Sequence, residues 1–196
     1  MRKILLAIVI APLFVYSALR IWYHFHTPPL AEYILPYSVE TGDLILTIGH
    51  SFKSDIVKSF EKKRVKETTY SHIGFIVCEE DSLSIVHMSI DDGNIKCEPL
   101  RTFIPANKVV GYDIFRIRED FGSLNKRQLK KILDEYLLDK KGFDYLFDLQ
   151  DDTRFYCTEL ILHVLQQQGI KELNRIRYTK YIYPNDLVHS GLLKKV

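Results

Sequence analysis

Cys157 is the fifth residue of the run TRFYCTELILHVLQQQG, residues 153–169, and the residues around it decide what chemistry it could do. Leu160, Ile161, Val164 and Leu165 follow it at the spacing of an amphipathic helix with one apolar face. Gly169 is a natural stop for such a helix. Cys157 therefore belongs to the first turn, on the core-facing side. A cysteine there is ordinarily a small buried hydrophobe. The amino end of a helix also carries partial positive charge and unpaired N–H groups, which stabilise a thiolate and can lower its pKa. A nucleophile needs one thing more, a base.

Two of the 7 histidines fall inside runs that read as strands. In YSHIGFIV, His72 shares a face with Gly74 and Ile76, and in SIVHMSI, His87 shares a face with Ile85 and Ser89. An imidazole on an apolar sheet must find a hydrogen-bond partner, so each alone reads first as a satisfied core histidine. Beside a helix-terminal thiol they acquire a second meaning. One ring can take the proton of the thiol, and a second polar group can fix the tautomer of the first. Cys157, His72 and His87 could fill those places. The same three side chains could ligate zinc, but they lack the close spacing of structural zinc motifs. His163 and Glu159 read as a surface pair on the outer helix face, His24 and His26 as linker, and His50 and His189 as loop residues.

The elements that must position these residues follow from pattern. GDLILTIG opens the folded part, with Gly42 and Asp43 as a turn and Leu44 to Ile48 as a short apolar strand. KSDIVKSFEKKR reads as a helix whose basic end, Lys62, Lys63, Arg64 and Lys66, is ordinarily a solvated face, although anionic polymer or lipid could meet it. Strands are expected over 71–78, 83–90 and 109–117, with DDGN turning the second of them into IKCEPL. A helix follows in NKRQLKKILDEYLLDKKG, with Asn125 and Gln128 as a capping box. The cysteine helix comes next, then a turn and a short closing helix in YPNDLVHSGLL. Strands clustered together and helices set apart argue for an α+β fold.

The chain's 196 residues suit one compact domain, and its net charge of +2 predicts no particular partner and no nucleic acid. The amino terminus differs from the rest. MRKILLAIVIAPLFVYSALRIWYHF starts with Arg2 and Lys3, runs uncharged from Ile4 to Leu19, and places Trp22 and Tyr23 just beyond Arg20. The run falls short of the roughly 20 residues that span a bilayer, but Arg20 can snorkel and the aromatic pair suits the interface. Residues 1–25 are expected to be a signal or membrane anchor, 26–41 a proline-bearing linker and 42–196 the folded domain, held outside the cytoplasm. Cys78 and Cys97 could pair there, or all three thiols could stay free.

Taken in order, GDLIL, YSHIGFIV and FYCTEL resemble the YiiX/YebB-like branch of the NlpC-type cysteine hydrolases. That branch has a circularly permuted papain-like fold, with the histidine strand first and the cysteine helix last. The resemblance runs from Gly42 to Leu193 and takes in VHMSIDDGNIKCEPLRTFI and KKGFDYLFDLQDDTRFYC. It implies an antiparallel sheet or half-barrel packed against the cysteine-bearing helix, Cys157 as nucleophile and His72 as general base. The third polar position, often glutamate in relatives, falls at His87. Tyr156 and Tyr70, each in one of the two reactive motifs, are candidate pocket residues. Glu159 is read as a first-turn residue favoured by the helix dipole, and Asp144 and Asp152 as turn formers.

The expected reaction is acyl transfer through a Cys157 thioester, needing no metal or organic cofactor. The resemblance points to amide bonds of peptidoglycan stem peptides. A lipid acyl substrate is the alternative, because lecithin–retinol acyltransferase-like proteins also place two histidines before the cysteine. A non-catalytic binding module would keep the fold and lose the reactive thiol.

Overall fold

In the computed structural model the described residues are 16–18, 21, 28–34, 38–62, 69–79, 82–149, 151, 153–171, 173–176 and 180–196. The expected amino-terminal hydrophobic helix lies outside them except at residues 16–18 and 21. No helix among the described residues is long and apolar enough to cross a membrane.

The chain builds one 8-stranded sheet. Its strands are β1 (Leu44–Gly49), β2 (His72–Glu79), β3 (Ser82–Ser89), β4 (Asn94–Pro99), β5 (Val109–Ile117), β6 (Gly142–Phe143), β7 (Arg154–Phe155) and β8 (Leu193–Lys195). They lie in the order β7-β6-β4-β3-β2-β1-β5-β8, curled into a half-barrel. The sheet is mixed rather than wholly antiparallel, because the two short strands β6 and β7 pair in parallel at its edge. These two strands come from the loop before Cys157, whose sequence carries no strand period.

Five α-helices, α1 (Phe52–Lys62), α2 (Leu100–Ala106), α3 (Lys126–Leu138), α4 (Cys157–Gln167) and α5 (Pro184–His189), accompany the sheet, with short 3-10 helices at Glu119–Phe121 and Leu173–Arg175. The capping box expected for α3 forms in part, with Asn125 accepting from Gln128 N–H at 3.1 Å. His189 ends α5 rather than lying in a loop. Helix α2 had no clear signal, being a short segment with Pro105 inside it.

Alternation along the strands divides the interior in two. On one face Leu44, Leu46, Ile73, Phe75, Val77, Val86 and Met88 pack with Leu160, Ile161, Val164 and Leu165 of α4, together with residues of α3 and α5. On the other Ile45, Ile76, Ile85 and Ile114 pack against Leu100, Phe103 and Ile104 of α2. The four α4 residues are fully buried, each contributing about 1.5–3 kcal/mol of apolar transfer, which is what holds the helix to the sheet.

Asp43 does more than turn the chain. Its carboxylate is buried and receives two hydrogen bonds from Arg116, from Nε at 2.6 Å and from Nη2 at 2.8 Å, pinning the start of β1 to β5. The expected linker is partly docked on the domain. Ala31 N–H donates to Val109 O at 2.8 Å, and the Tyr112 hydroxyl accepts from Ile34 N–H at 3.0 Å. Cys78 and Cys97 are both free thiols. They sit on strands separated by β3 and on opposite faces of the sheet, so the pairing considered from the sequence does not form.

Candidate active site

His72 is the first residue of β2 and His87 lies near the end of β3. The β2–β3 ladder runs from Glu79↔Ser82 to Phe75↔Val86 and stops there. Beyond that point β2 continues along β1 to Thr47↔His72, and β3 continues along β4 to Ser89↔Asn94. The two strands part, and the histidines stand at the parting. His72 Nε2 and His87 Nδ1 are 3.0 Å apart, with the rings edge to face at 5.0 Å between centroids. Phe103 of α2 closes this face, stacked on His72 at 6.0 Å and edge-on to His87 at 4.9 Å.

A fourth group extends the chain. His87 Nε2 lies 2.9 Å from Glu98 Oε1, and this hydrogen bond is the main cause that lowers the Glu98 pKa. Glu98 is not among the candidates singled out by spacing, although the sequence carries a signal for it. The DDGN turn sets Ser89 opposite Asn94 and His87 opposite Lys96, which makes Glu98 the diagonal same-face neighbour of His87.

Cys157 opens α4 as expected and packs, partly buried, against the core on the other face of the sheet. Its sulfur reaches the parting of the strands from that side. The backbone N–H groups of Thr158, Ile73 and Cys157 itself lie near enough to pull its pKa down, and Thr158 Oγ1 is 3.8 Å away. Ile73 lies beyond the last paired position of the β2–β3 ladder, so its N–H is turned to the sulfur. Sulfur and imidazole thus flank the same peptide unit, His72–Ile73. Among the described residues no hydrogen bond joins the Cys157 sulfur directly to the His72 ring.

Electrostatics gives the resting state. Burial pushes the Cys157 thiol up to about 11, against the opposing pull of Thr158 and the backbone N–H groups. Burial also holds the His72 imidazole well below its ordinary value, with His87 adding to the effect. The resting pair is a thiol and a neutral imidazole. The helix end alone predicts a thiolate, and desolvation outweighs it.

The other sequence candidates have defined places. Tyr156, the residue before α4, is buried, and its hydroxyl accepts from Ile182 N–H at 3.1 Å. Tyr70 is buried edge-on to Phe115 and donates its hydroxyl proton to Asp113 at 2.5 Å. Asp144 accepts from Leu146 N–H at 2.8 Å as a turn former, while Asp152 lies outside the described residues. Among the described residues no group of three His, Cys, Asp or Glu side chains is arranged to hold a metal ion.

Glu159 and His163 are not the outer-face pair that their spacing suggests. Glu159 is buried and accepts Tyr156 N–H at 3.2 Å, and the His163 ring packs on Phe155 at 4.9 Å. Burial pushes the Glu159 carboxyl from 4.5 up to about 7, with Asp144, Asp151 and Asp148 adding repulsion. An acid raised in this way costs stability once ionised: nothing below about pH 4.5, the full amount above about pH 7. Glu159→Gln keeps an acceptor for Tyr156 and removes the charge. It is expected to raise Tm at pH 8 by about 2–4 °C, near 1 kcal/mol after solvent screening, with no gain at pH 4.5. Thermal melts at the two pH values check this, and an unchanged or lower Tm at pH 8 would overturn it.

A histidine strand first in the chain, a cysteine helix late in it and a curled sheet between them is a recognisable arrangement, and residues 38–196 match the model of one family, described as "Permuted papain-like amidase enzyme, YaeF/YiiX, C92 family". No curated protein matches the chain. The matched residues cover the whole sheet and all five helices, so the chain belongs to the permuted papain-like amidases and is a cysteine amidase or hydrolase.

Proposed function

We propose that Cys157 is the nucleophile, His72 the general base and His87 the residue that orients it, in a hydrolase acting on amide bonds of peptidoglycan stem peptides. The observation that carries this reading is the hydrogen-bonded His72–His87 pair at the parting of β2 and β3, where the Cys157 sulfur lies near Ile73 N–H. His72 Nδ1 takes the thiol proton as the sulfur attacks the amide carbonyl. The C–N bond breaks as the proton passes from His72 to the leaving amine, and a thioester remains. Water, deprotonated by the same ring, releases the carboxylic acid and restores the thiol. The N–H groups at the head of α4 stabilise the oxyanion in both steps.

Thiol and imidazole are both neutral at rest, so proton transfer belongs to the attack itself. The sulfur–ring bond closes when substrate enters, as is common for catalytic hydrogen bonds that are long in the free enzyme. The reading also includes an amino-terminal membrane anchor and a domain on the extracytoplasmic side, where such peptides occur.

One observation favours the lipid alternative. Tyr145 and Leu146 are exposed, and their neighbour Phe147 packs on Tyr156, next to the nucleophile, at 5.1 Å. An acyl chain could lie on that surface.

The deciding experiment incubates the full-length protein, untreated or alkylated with iodoacetamide at pH 9, with muropeptides and separately with phospholipid vesicles. Mass spectrometry identifies the bond cleaved. Amide cleavage in muropeptides by the untreated protein alone is expected. Ester cleavage alone would replace the substrate assignment with lipid, and no thiol-dependent cleavage of either would overturn the proposal.

A further inference from the structure

The hydrogen-bond chain behind the catalytic pair does not end at His87. We propose that Glu98 is a positioning residue for the reaction, fixing the tautomers of both histidines so that His72 presents a bare Nδ1 to the thiol. This rests on the catalytic reading above.

The argument is a count of protons along the chain. An ionised carboxylate only accepts, so at 2.9 Å from Glu98 Oε1 the Nε2 of His87 must carry hydrogen. A neutral His87 then has a bare Nδ1, and its 3.0 Å contact with His72 Nε2 requires the hydrogen to sit on His72. The remaining nitrogen of His72, Nδ1, is left with its lone pair, as a general base must be. One competitor exists. His87 Nδ1 is also 3.3 Å from Met88 O, a contact that would favour hydrogen on Nδ1 and reverse every assignment upstream. The shorter bond to a charged acceptor outweighs the longer one to a neutral carbonyl.

The surroundings suit a carboxylate that stays ionised. His87 supplies the hydrogen bond on one side, Lys96 lies on the same strand, and the Asn107 side chain beyond α2 also pulls the carboxyl pKa down. Phe103 covers the histidine pair with an apolar ring, and Arg101, the charged residue of α2, lies over the Tyr33 ring at 5.1 Å. The arrangement also resolves how a histidine can stand third in the relay. A neutral ring stabilises an imidazolium poorly, but a ring backed by a carboxylate transmits that charge through two hydrogen bonds.

The test reads tautomers directly. In protein labelled with 15N-histidine, NMR at pH 7.5 is expected to show His72 and His87 both protonated on Nε2 and bare on Nδ1. In Glu98→Gln the amide can donate as well as accept, so the Nδ1–H form of His87 should become populated and His72 should follow. Activity of that variant, on the muropeptide cleaved by the wild type, is expected to fall about 10- to 100-fold in kcat, with KM within about twofold. Nδ1–H on either ring of the wild type would overturn the proposal. So would a Glu98→Gln variant with unchanged tautomers or unchanged kcat. If that variant does not fold, the wild-type spectrum decides alone. The NMR result does not require turnover, so a failure of the hydrolase reading would be seen separately, as absent cleavage with the tautomers as stated.

Discussion

Cys157→Ala is expected to leave no measurable hydrolysis, a fall in kcat/KM of about 10⁴-fold or more, and His72→Ala to lose about 10³- to 10⁴-fold. The two act in one step, so the double variant should be no worse than Cys157→Ala alone. Cys157→Ala should melt near the wild type, and His72→Ala lower, because it takes from the buried His87 its His72 partner and uncovers Phe103. The same pair governs labelling. With the thiol titrating at about 11, alkylation of Cys157 by iodoacetamide should climb about tenfold per pH unit between pH 7 and 10. Slow labelling at neutral pH is therefore the expected behaviour of this enzyme at rest, not a mark of an inert fold. Peptide-resolved mass spectrometry separates Cys157 from Cys78 and Cys97. Hydrolysis that survives in Cys157→Ala would end the thioester mechanism, and labelling already at its maximum at pH 7 would end the neutral resting pair.

The second large effect is expected at Gly74, in the middle of YSHIGFIV. A Cβ there would stand 2.7 Å from Cγ1 of Ile85 and 2.9 Å from the carbonyl oxygen of Val86. The first neighbour is a packed core side chain and the second is backbone, so neither can step aside cheaply. Gly74 is also the first residue past the end of the β2–β3 ladder, which makes it the point about which the two strands part. Gly74→Ala is expected to cost about 2–3 kcal/mol of stability, read from urea unfolding. What remains folded should lose most of its activity, since the displaced strand carries His72. A loss below about 0.5 kcal/mol would show that β3 yields, and that the close approach is not what demands glycine here.

Much of this was legible because periodicity is strong where burial is one-sided. The α4 stripe and the faces assigned to His72 and His87 follow from spacing alone, and the observed faces agree. What stayed hidden depended on partners distant in sequence. Asp43 reads as a turn residue until Arg116 is brought beside it. Glu159 lies on a helix position that counts as outer by spacing, but it is buried, with Asp144, Asp148 and Asp151 of the preceding loop close enough to repel its charge. The thiol's own state is hidden for the same reason. A helix terminus is visible in a sequence, whereas the desolvation that opposes it is a property of the assembled site. Glu98 was within reach, because a hairpin register read off the DDGN turn would have set it beside His87.

The docked segment ahead of β1 bears on how far this domain can travel. Its grip on the body begins at Ala31, which bonds Val109, and Tyr112 holds the next turn of chain. If, as proposed, the residues up to Tyr23 are fixed in a bilayer, the seven residues from His24 to Leu30 could reach at most roughly 23 Å. On that proposal a leash so short would keep the domain in a thin shell above the lipid, where only targets lying close to that surface would come within its grasp.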